Sequence, residues 1–207
     1  MKYDIIIIGS GPGGYVAAIR AAQLGRRVAL VERAEAGGVC LNWGCIPTKA
    51  LLRSAQVYET CRAAAQYGVE VAGDVRPDLE KIVARSRSVA ETMSKGVQFL
   101  LRKNNIDLIH GFGRLKGPGR VEVDGAEYEA DHIILATGAR PREMPFMPVD
   151  GERVITSKQA LALTRLPTSI TVVGSVDHPI IPSTSGCPAL PIITIFLPAL
   201  LSVSTIL

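Results

Sequence analysis

The chain of 207 residues is 47% hydrophobic, 20% charged and 5% aromatic, with a formal net charge of +4. Its basic residues are scattered from Arg20 to Lys103 with no aromatic-interleaved patch, which argues against a nucleic-acid partner. Four cysteines are too few for a disulfide scaffold, and no signal-peptide pattern precedes the first apolar run. A cytoplasmic protein with one core, and part of a second, is expected.

Asp4–Ile8 is a short β-branched run, the pattern of a parallel strand buried on both faces. Gly9-Ser-Gly11-Pro-Gly-Gly14 follows, then an Ala-rich segment predicts a helix over Tyr15–Leu24, closed by Gly25. Val28–Val31 predicts a second strand, with Glu32 at its end. In this context the glycines have physical jobs. Gly9 allows the turn, Gly11 admits a pyrophosphate to the backbone, and Gly14 permits close helix–strand packing. The helix N-terminus favours phosphate, and Glu32 is placed to accept ribose hydroxyls. This is a dinucleotide-binding βαβ unit, but the glycines do not distinguish FAD from NAD.

Gly37–Lys49 comes next, with Cys40 and Cys45 flanked by glycines and followed by Ile46-Pro47-Thr48-Lys49. A helix is expected from Pro47 to Ala65. Cys40 and Cys45 would close a small ring, and a thiolate at a helix start near Lys49 would have a lowered pKa. A redox dithiol is the leading reading, with a structural disulfide or half a zinc site as the alternatives. Cys61 and Cys187 are isolated and make no second pair at zinc spacing, so no metal is expected.

Asp78–Asn104 predicts a long helix with an apolar face of Leu79, Ile82, Val83, Val89, Met93, Val97, Leu100 and Leu101. Strands are expected at Asp107–His110, Gly111–Leu115, Arg120–Val123, Glu127–Ala130 and His132–Ala136, with turns at Gly117-Pro118-Gly119 and Asp124-Gly125. A helical turn near Ser157–Leu163 and a strand at Ile170–Val173 follow. From Val176 to Leu207 the chain has five prolines, one carboxylate, no Lys or Arg and no period. Pro191 and Pro198 interrupt its uncharged end, so a membrane span is not expected.

The cysteine segment resembles the redox-active disulfide of the pyridine nucleotide–disulfide oxidoreductases, and the dihydrolipoyl dehydrogenase branch in particular. Ile133–Pro141 is similar to the family's second FAD signature, and Lys95–Leu101 leans toward the same branch. Glutathione and mercuric reductases remain the alternatives within the family. The resemblance implies an α/β fold: a Rossmann-like FAD-binding domain with a parallel sheet and an added β-meander over residues 1–145. The start of an NAD-binding domain would follow over 146–175, then an anomalous apolar Pro-rich tail over 176–207, with the rest of the NAD and dimerisation domains missing. It further implies Cys45 as the charge-transfer thiolate against the flavin and Cys40 as the interchange thiol. Lys49 would lie near the flavin ring, Gly113 at the adenine, and Thr137 and Gly138 against the cofactor.

The implied reaction passes electrons from dihydrolipoamide to the Cys40–Cys45 disulfide, then to FAD, then to NAD⁺. The implied partners are a lipoyl group on an acyltransferase subunit or a glycine-cleavage carrier protein, and a second copy in a homodimer. The family's second glycine fingerprint should follow Gly174, but Val176 and Asp177 stand there instead. A frameshift or truncation near residue 175 is therefore expected, giving a chain unable to turn over alone. A flavin-binding dithiol electron carrier without NAD chemistry is the rival.

Overall fold

Residues whose side chains alternate between two apolar faces can form only a sheet covered on both sides. The computed structural model describes residues 2–141 and 144–173, and the backbone of Ile192–Phe196. The chain divides into two compact units, one of residues 1–77 and 84–138, the other of residues 78–83 and 139–207.

The first unit begins with β1 (Lys2–Ile8), α1 (Pro12–Gln23) and β2 (Val28–Glu32). Two helices follow, α2 (Gly38–Trp43) and α3 (Cys45–Arg62), then a 3₁₀ turn at Ala64–Tyr67. The long helix α4 (Leu79–Lys103) leads into β3 (Asp107–His110), β4 (Gly113–Gly117), β5 (Arg120–Val123) and β6 (Ala126–Leu135). The strands form one six-stranded sheet in the order β3-β2-β1-β6-β5-β4. Pairing is parallel across β3-β2-β1-β6, with Ile6 opposite Ala29 and Ile133, and antiparallel through β6-β5-β4.

Successive isoleucines of β1 serve opposite faces. Ile7 joins Val28, Leu30, Ala18, Val97 and Leu101 in one core cluster, which α1 and α4 cover. Ile6 and Ile8 join Ala29, Val31, Val121 and Val123 in the other, which the β4–β5 hairpin covers. That double burial explains why the β1 sequence is apolar without alternation.

Three sequence-based expectations are corrected here. A single strand, β6, replaces the two expected at Glu127–Ala130 and His132–Ala136, because its first half pairs with β5 and its second half with β1. The buried face of α4 is Ser86, Ala90, Ser94, Val97 and Leu101, whereas Met93 and Leu100 are exposed. The two serines are buried because each donates to a main-chain carbonyl, Ser86 to Pro47 and Ser94 to Ala36. The helix expected from Pro47 starts at Cys45, and the six-residue helix α2 precedes it.

The second unit holds β7 (Val154–Thr156), α5 (Ser157–Ala160), β8 (Ser169–Val172) and β9 (Ile192–Phe196). The three strands form a parallel sheet with β9 in the centre. Residues 192–196 gave no periodic signal, yet their β-branched run makes a strand, as such residues favour. Val176 and Asp177, the break in the second fingerprint, lie outside the described residues. The turn into β7 is held by Asp150, whose Oδ1 accepts from the N–H groups of Glu152, Arg153 and Val154 at 2.8, 2.8 and 2.9 Å. These bonds hold its carboxyl below the usual carboxylate range. No helix among the described residues is long and apolar enough to cross a membrane.

Leu101 is 1% exposed between α4 and the sheet. Leu101→Ala is expected to cost about 3 kcal/mol, the transfer loss plus an unfilled cavity. Urea unfolding of the full chain checks it, and a loss under about 1 kcal/mol would contradict this packing.

Candidate functional site

The site is built at the carboxyl ends of β1, β2 and β6, the edge where open α/β sheets hold ligands. Gly9 leaves β1 at φ 102°, and a Cβ there would lie 2.2 Å from the Ala136 carbonyl oxygen and 3.1 Å from the Thr137 Cα. A Cβ at Gly14 would lie 1.8 Å from the Gly9 carbonyl oxygen. These two glycines are thus required by backbone contacts of the protein itself. Gly11 differs. A Cβ there would meet nothing within 4 Å. It is the N-cap of the 12-residue α1, which has Pro12 at its start, no side-chain cap and no acidic residue in its first turn. The space in front of Gly11 is therefore an open cradle for an anion at a positive helix end.

Glu32 ends β2 and is 9% exposed. Its Oε2 accepts from the Ser10 N–H at 2.9 Å and the Ser10 hydroxyl at 2.6 Å, and its Oε1 accepts from the Ala34 N–H at 2.9 Å. Burial pushes the carboxyl pKa up, but the Ser10 and Ala34 hydrogen bonds outweigh it and the net direction is down. A carboxylate offers about four acceptor positions. The Arg33 N–H also acts on this carboxylate, so the ribose contact expected at Glu32 would share an oxygen that already accepts a bond.

The structure carries this network into the cysteine segment. The Gly37 N–H donates to the Ser10 carbonyl at 3.1 Å and approaches the Ser10 hydroxyl oxygen at 3.2 Å. A Cβ at Gly38, the first residue of α2, would lie 2.7 Å from the Gly11 Cα. The helix bearing Cys40 thus starts against the cradle. Gly44 (φ −149°, ψ −116°) separates α2 from α3, and a Cβ there would lie 3.0 Å from the Val39 carbonyl oxygen and 3.3 Å from the Cys40 Cα.

Cys45 is the first residue of α3 and exposed, while Cys40 is half-buried. The two side chains are close enough to influence each other. Burial, and then the Cys45 side chain, push the Cys40 thiol up to about 11, against the smaller pull of the Cys45 N–H and the Lys49 charge. At Cys40, desolvation and the neighbouring sulfur outweigh the Lys49 cation.

Lys49 stands exposed on α3, one turn beyond Cys45. Thr137 and Gly138 follow β6, both exposed, with Gly138 at φ 71°. Gly113 opens β4, where a Cβ would come within 3.2 Å of the Ile8 and Val31 side chains.

Sequence reasoning missed the supports of this segment. Asn42 is buried and donates to the carbonyls of Ala36 (3.1 Å) and Gly38 (2.9 Å). Arg85 donates to the Ala50 carbonyl at 3.0 Å and Arg87 to the Asn42 carbonyl at 2.6 Å. No motif marks these residues, because main-chain carbonyls accept from any suitably placed donor. Only Gly37 and Gly38, at φ 95° and 61°, left a sequence signal.

The fold and site define a dinucleotide-binding α/β unit with an adjoining cysteine pair. The model of the pyridine nucleotide-disulphide oxidoreductase family matches residues 3–176, and the chain belongs to that family. It is 48% identical over 193 residues to a dihydrolipoyl dehydrogenase of Rhizobium etli, covering 84% of this chain and 40% of the relative. A Bacillus subtilis dihydrolipoyl dehydrogenase is 47% identical over 186 residues, with 84% and 39% covered. The HOCl-induced flavoprotein disulfide reductase RclA of Escherichia coli, in its Cu(II) complex, superposes with a TM-score of 0.71 at 28% identity. That match covers 84% of this chain and 37% of RclA. The chain thus spans about two-fifths of the length of these relatives.

Two predictions follow from the geometry. Gly14→Ala puts a methyl against the Gly9 carbonyl and is expected to destabilise by about 2 kcal/mol or more, whereas Gly11→Ala is expected to leave the unfolding midpoint nearly unchanged. Equal losses in both variants, measured by urea unfolding, would show that Gly11 too is held by the fold. For Glu32, the folded pKa lies below the ordinary 4.5, so on acidification the unfolded chain binds the proton first. The stabilisation is whole above 4.5 and is lost as pH falls through the lower folded value. Glu32→Gln is expected to remove about 2 kcal/mol at neutral pH. It should also flatten this acid limb in a series of thermal melts, and an unchanged limb would exclude Glu32 as its source.

Proposed function

We propose that the chain carries the FAD-binding and dithiol-bearing part of a dihydrolipoyl dehydrogenase, with residues 1–145 as the FAD-binding domain and 146–175 opening an NAD-binding domain. The observation that carries this reading is the start of α2 against the cradle, with Gly38 beside Gly11 and Cys40 within the same short helix. The residues present fit a dinucleotide. Gly11 and the N-terminus of α1 would hold the pyrophosphate and Glu32 a ribose hydroxyl. Gly113 would lie at the adenine, and Thr137 and Gly138 along the cofactor beside Gly9. Lys49 would stand near the flavin ring.

When bound, FAD would supply a two-electron acceptor for the dithiol. The chain's own part is thiol–disulfide exchange. A thiolate of dihydrolipoamide attacks the Cys40 sulfur of the Cys40–Cys45 disulfide and releases Cys45 as thiolate. The second substrate thiolate then attacks the substrate sulfur bound to Cys40. This forms cyclic lipoamide and leaves both electrons on the reduced pair. With its pKa near 11, Cys40 takes up a proton at neutral pH, so the reduced pair holds one proton there.

Val176 and Asp177 stand where a second glycine fingerprint would continue, so turnover with NAD⁺ by this chain alone is expected to be negligible. The same break favours a second reading, an FAD-binding dithiol electron carrier without NAD chemistry. In the whole enzyme, the partners would be a lipoyl group on an acyltransferase or glycine-cleavage carrier protein, and a second copy of the chain.

The test is reconstitution of the purified full chain with FAD. The expected result is a protein-bound flavin spectrum that dihydrolipoamide bleaches without oxygen. Cys40→Ser and Cys45→Ser should keep the flavin but lose the bleaching, and Gly11→Val should lose the flavin while folding. A chain that folds but retains no FAD would refute the reading, and bleaching by NADH would remove the carrier alternative.

A further inference from the structure

We propose that Arg87 is a positioning residue for the Cys40–Cys45 pair, setting how readily the two thiols close to a disulfide; this rests on the dithiol reading of the site. Cys40 lies on α2, which is six residues long and too short to hold its own conformation. Cys45 heads α3, and only Gly44 stands between the two helices. The approach of the sulfurs is therefore set by whatever fixes α2 relative to α3.

Both helices are fixed from α4. On the α3 side, Ser86 donates to the Pro47 carbonyl at 3.2 Å and Arg85 to the Ala50 carbonyl at 3.0 Å. On the α2 side, Arg87 donates to the Asn42 carbonyl at 2.6 Å and lies 3.9 Å above the Trp43 ring. The Trp43 indole N–H in turn donates to Glu35 at 3.2 Å. Arg87 thus grips the last two residues before Gly44, where α2 meets the cysteine turn. Its planar guanidinium makes the hydrogen bond and the ring contact together, which a lysine ammonium does less well. The side chain lines an open recess of about 330 Å³ with Glu35, Asn42, Glu91, Ser94 and Lys95. Water can enter there when Arg87 is shortened, so the end of α2 loosens without collapse of the core.

Ring closure balances as a two-electron oxidation. Cys40 and Cys45 each lose a proton and one sulfur–sulfur bond forms. The cyclic disulfide of oxidised dithiothreitol takes both electrons and both protons as its own sulfur–sulfur bond opens.

The experiment equilibrates the full chain in dithiothreitol buffers of graded ratio, traps thiols by alkylation and maps peptides by mass, separating the pair from Cys61 and Cys187. Emission of Trp43, the single tryptophan, gives a second readout of the same segment. Arg87→Ala is expected to lower the closure constant about tenfold, a rise of about 30 mV in the potential. Arg87→Lys should recover part of the loss. Arg85→Ala loses a bond of the same kind, but in the middle of α3, and should stay within about twofold of the parent.

A closure constant for Arg87→Ala within about twofold of the parent, or an equal shift in Arg85→Ala, would overturn the proposal while leaving the dithiol reading intact. A parent chain whose cysteines never close would overturn both. Should Arg87→Ala lose its circular-dichroism signal, Arg87→Lys carries the test, with a shift of about threefold expected and none overturning it.

Discussion

The buried Glu32 carboxylate is the interaction on which the site's arrangement depends. It is balanced by hydrogen-bond donors, among them two from Ser10 and one from Ala34. An ionised group so placed is costly unless its acceptor positions are filled. Filling them fixes the fingerprint loop to the end of β2. Because Ser10 also receives the Gly37 N–H, the same group sets where the cysteine segment departs. The glycine loop, the strand end and the start of α2 are thus one hydrogen-bonded unit.

Around that unit the glycines divide by physical role. Gly9, Gly14 and Gly38 sit where a Cβ would strike main-chain atoms, so their small size serves the fold directly. Gly11 sits where a Cβ would strike nothing among the described residues, so none of them demands its small size. A site shaped only by folding has no use for that opening. The pyrophosphate proposed to lie at the start of α1 would use it.

The sequence exposed the parts of this design that follow from period and punctuation. Apolar runs ending at Gly9 and Glu32 marked β1 and β2, and Gly25 marked the end of α1. It hid the parts that depend on what faces what. α2 was unreadable because Gly37, Gly38 and Gly44 look like loop residues, although their conformations are what let two short helices meet at the cysteines. The buried side of α4 was misread because Ser86 and Ser94 look like surface residues until the carbonyls of Pro47 and Ala36 are seen opposite them. β6 looked like two strands because its neighbour changes from β5 to β1 partway along, a switch that leaves no mark on propensity.

That hidden face of α4 also resolves a conflict at the dithiol. If the pair opens and closes as proposed, it needs one joint that moves and everything else still, since sulfurs free to wander would rarely meet. Gly44 supplies the joint, being the residue between α2 and α3 and packed against Cys40 and Val39. The 25-residue α4 supplies the stillness, because it is held by the sheet through Val97 and Leu101 and carries the donors that reach both helices. On the proposed dithiol reading, this arrangement puts the joint between the two cysteines and the rail outside them. The cradle at Gly11 is anchored separately, through Ser10 and Glu32.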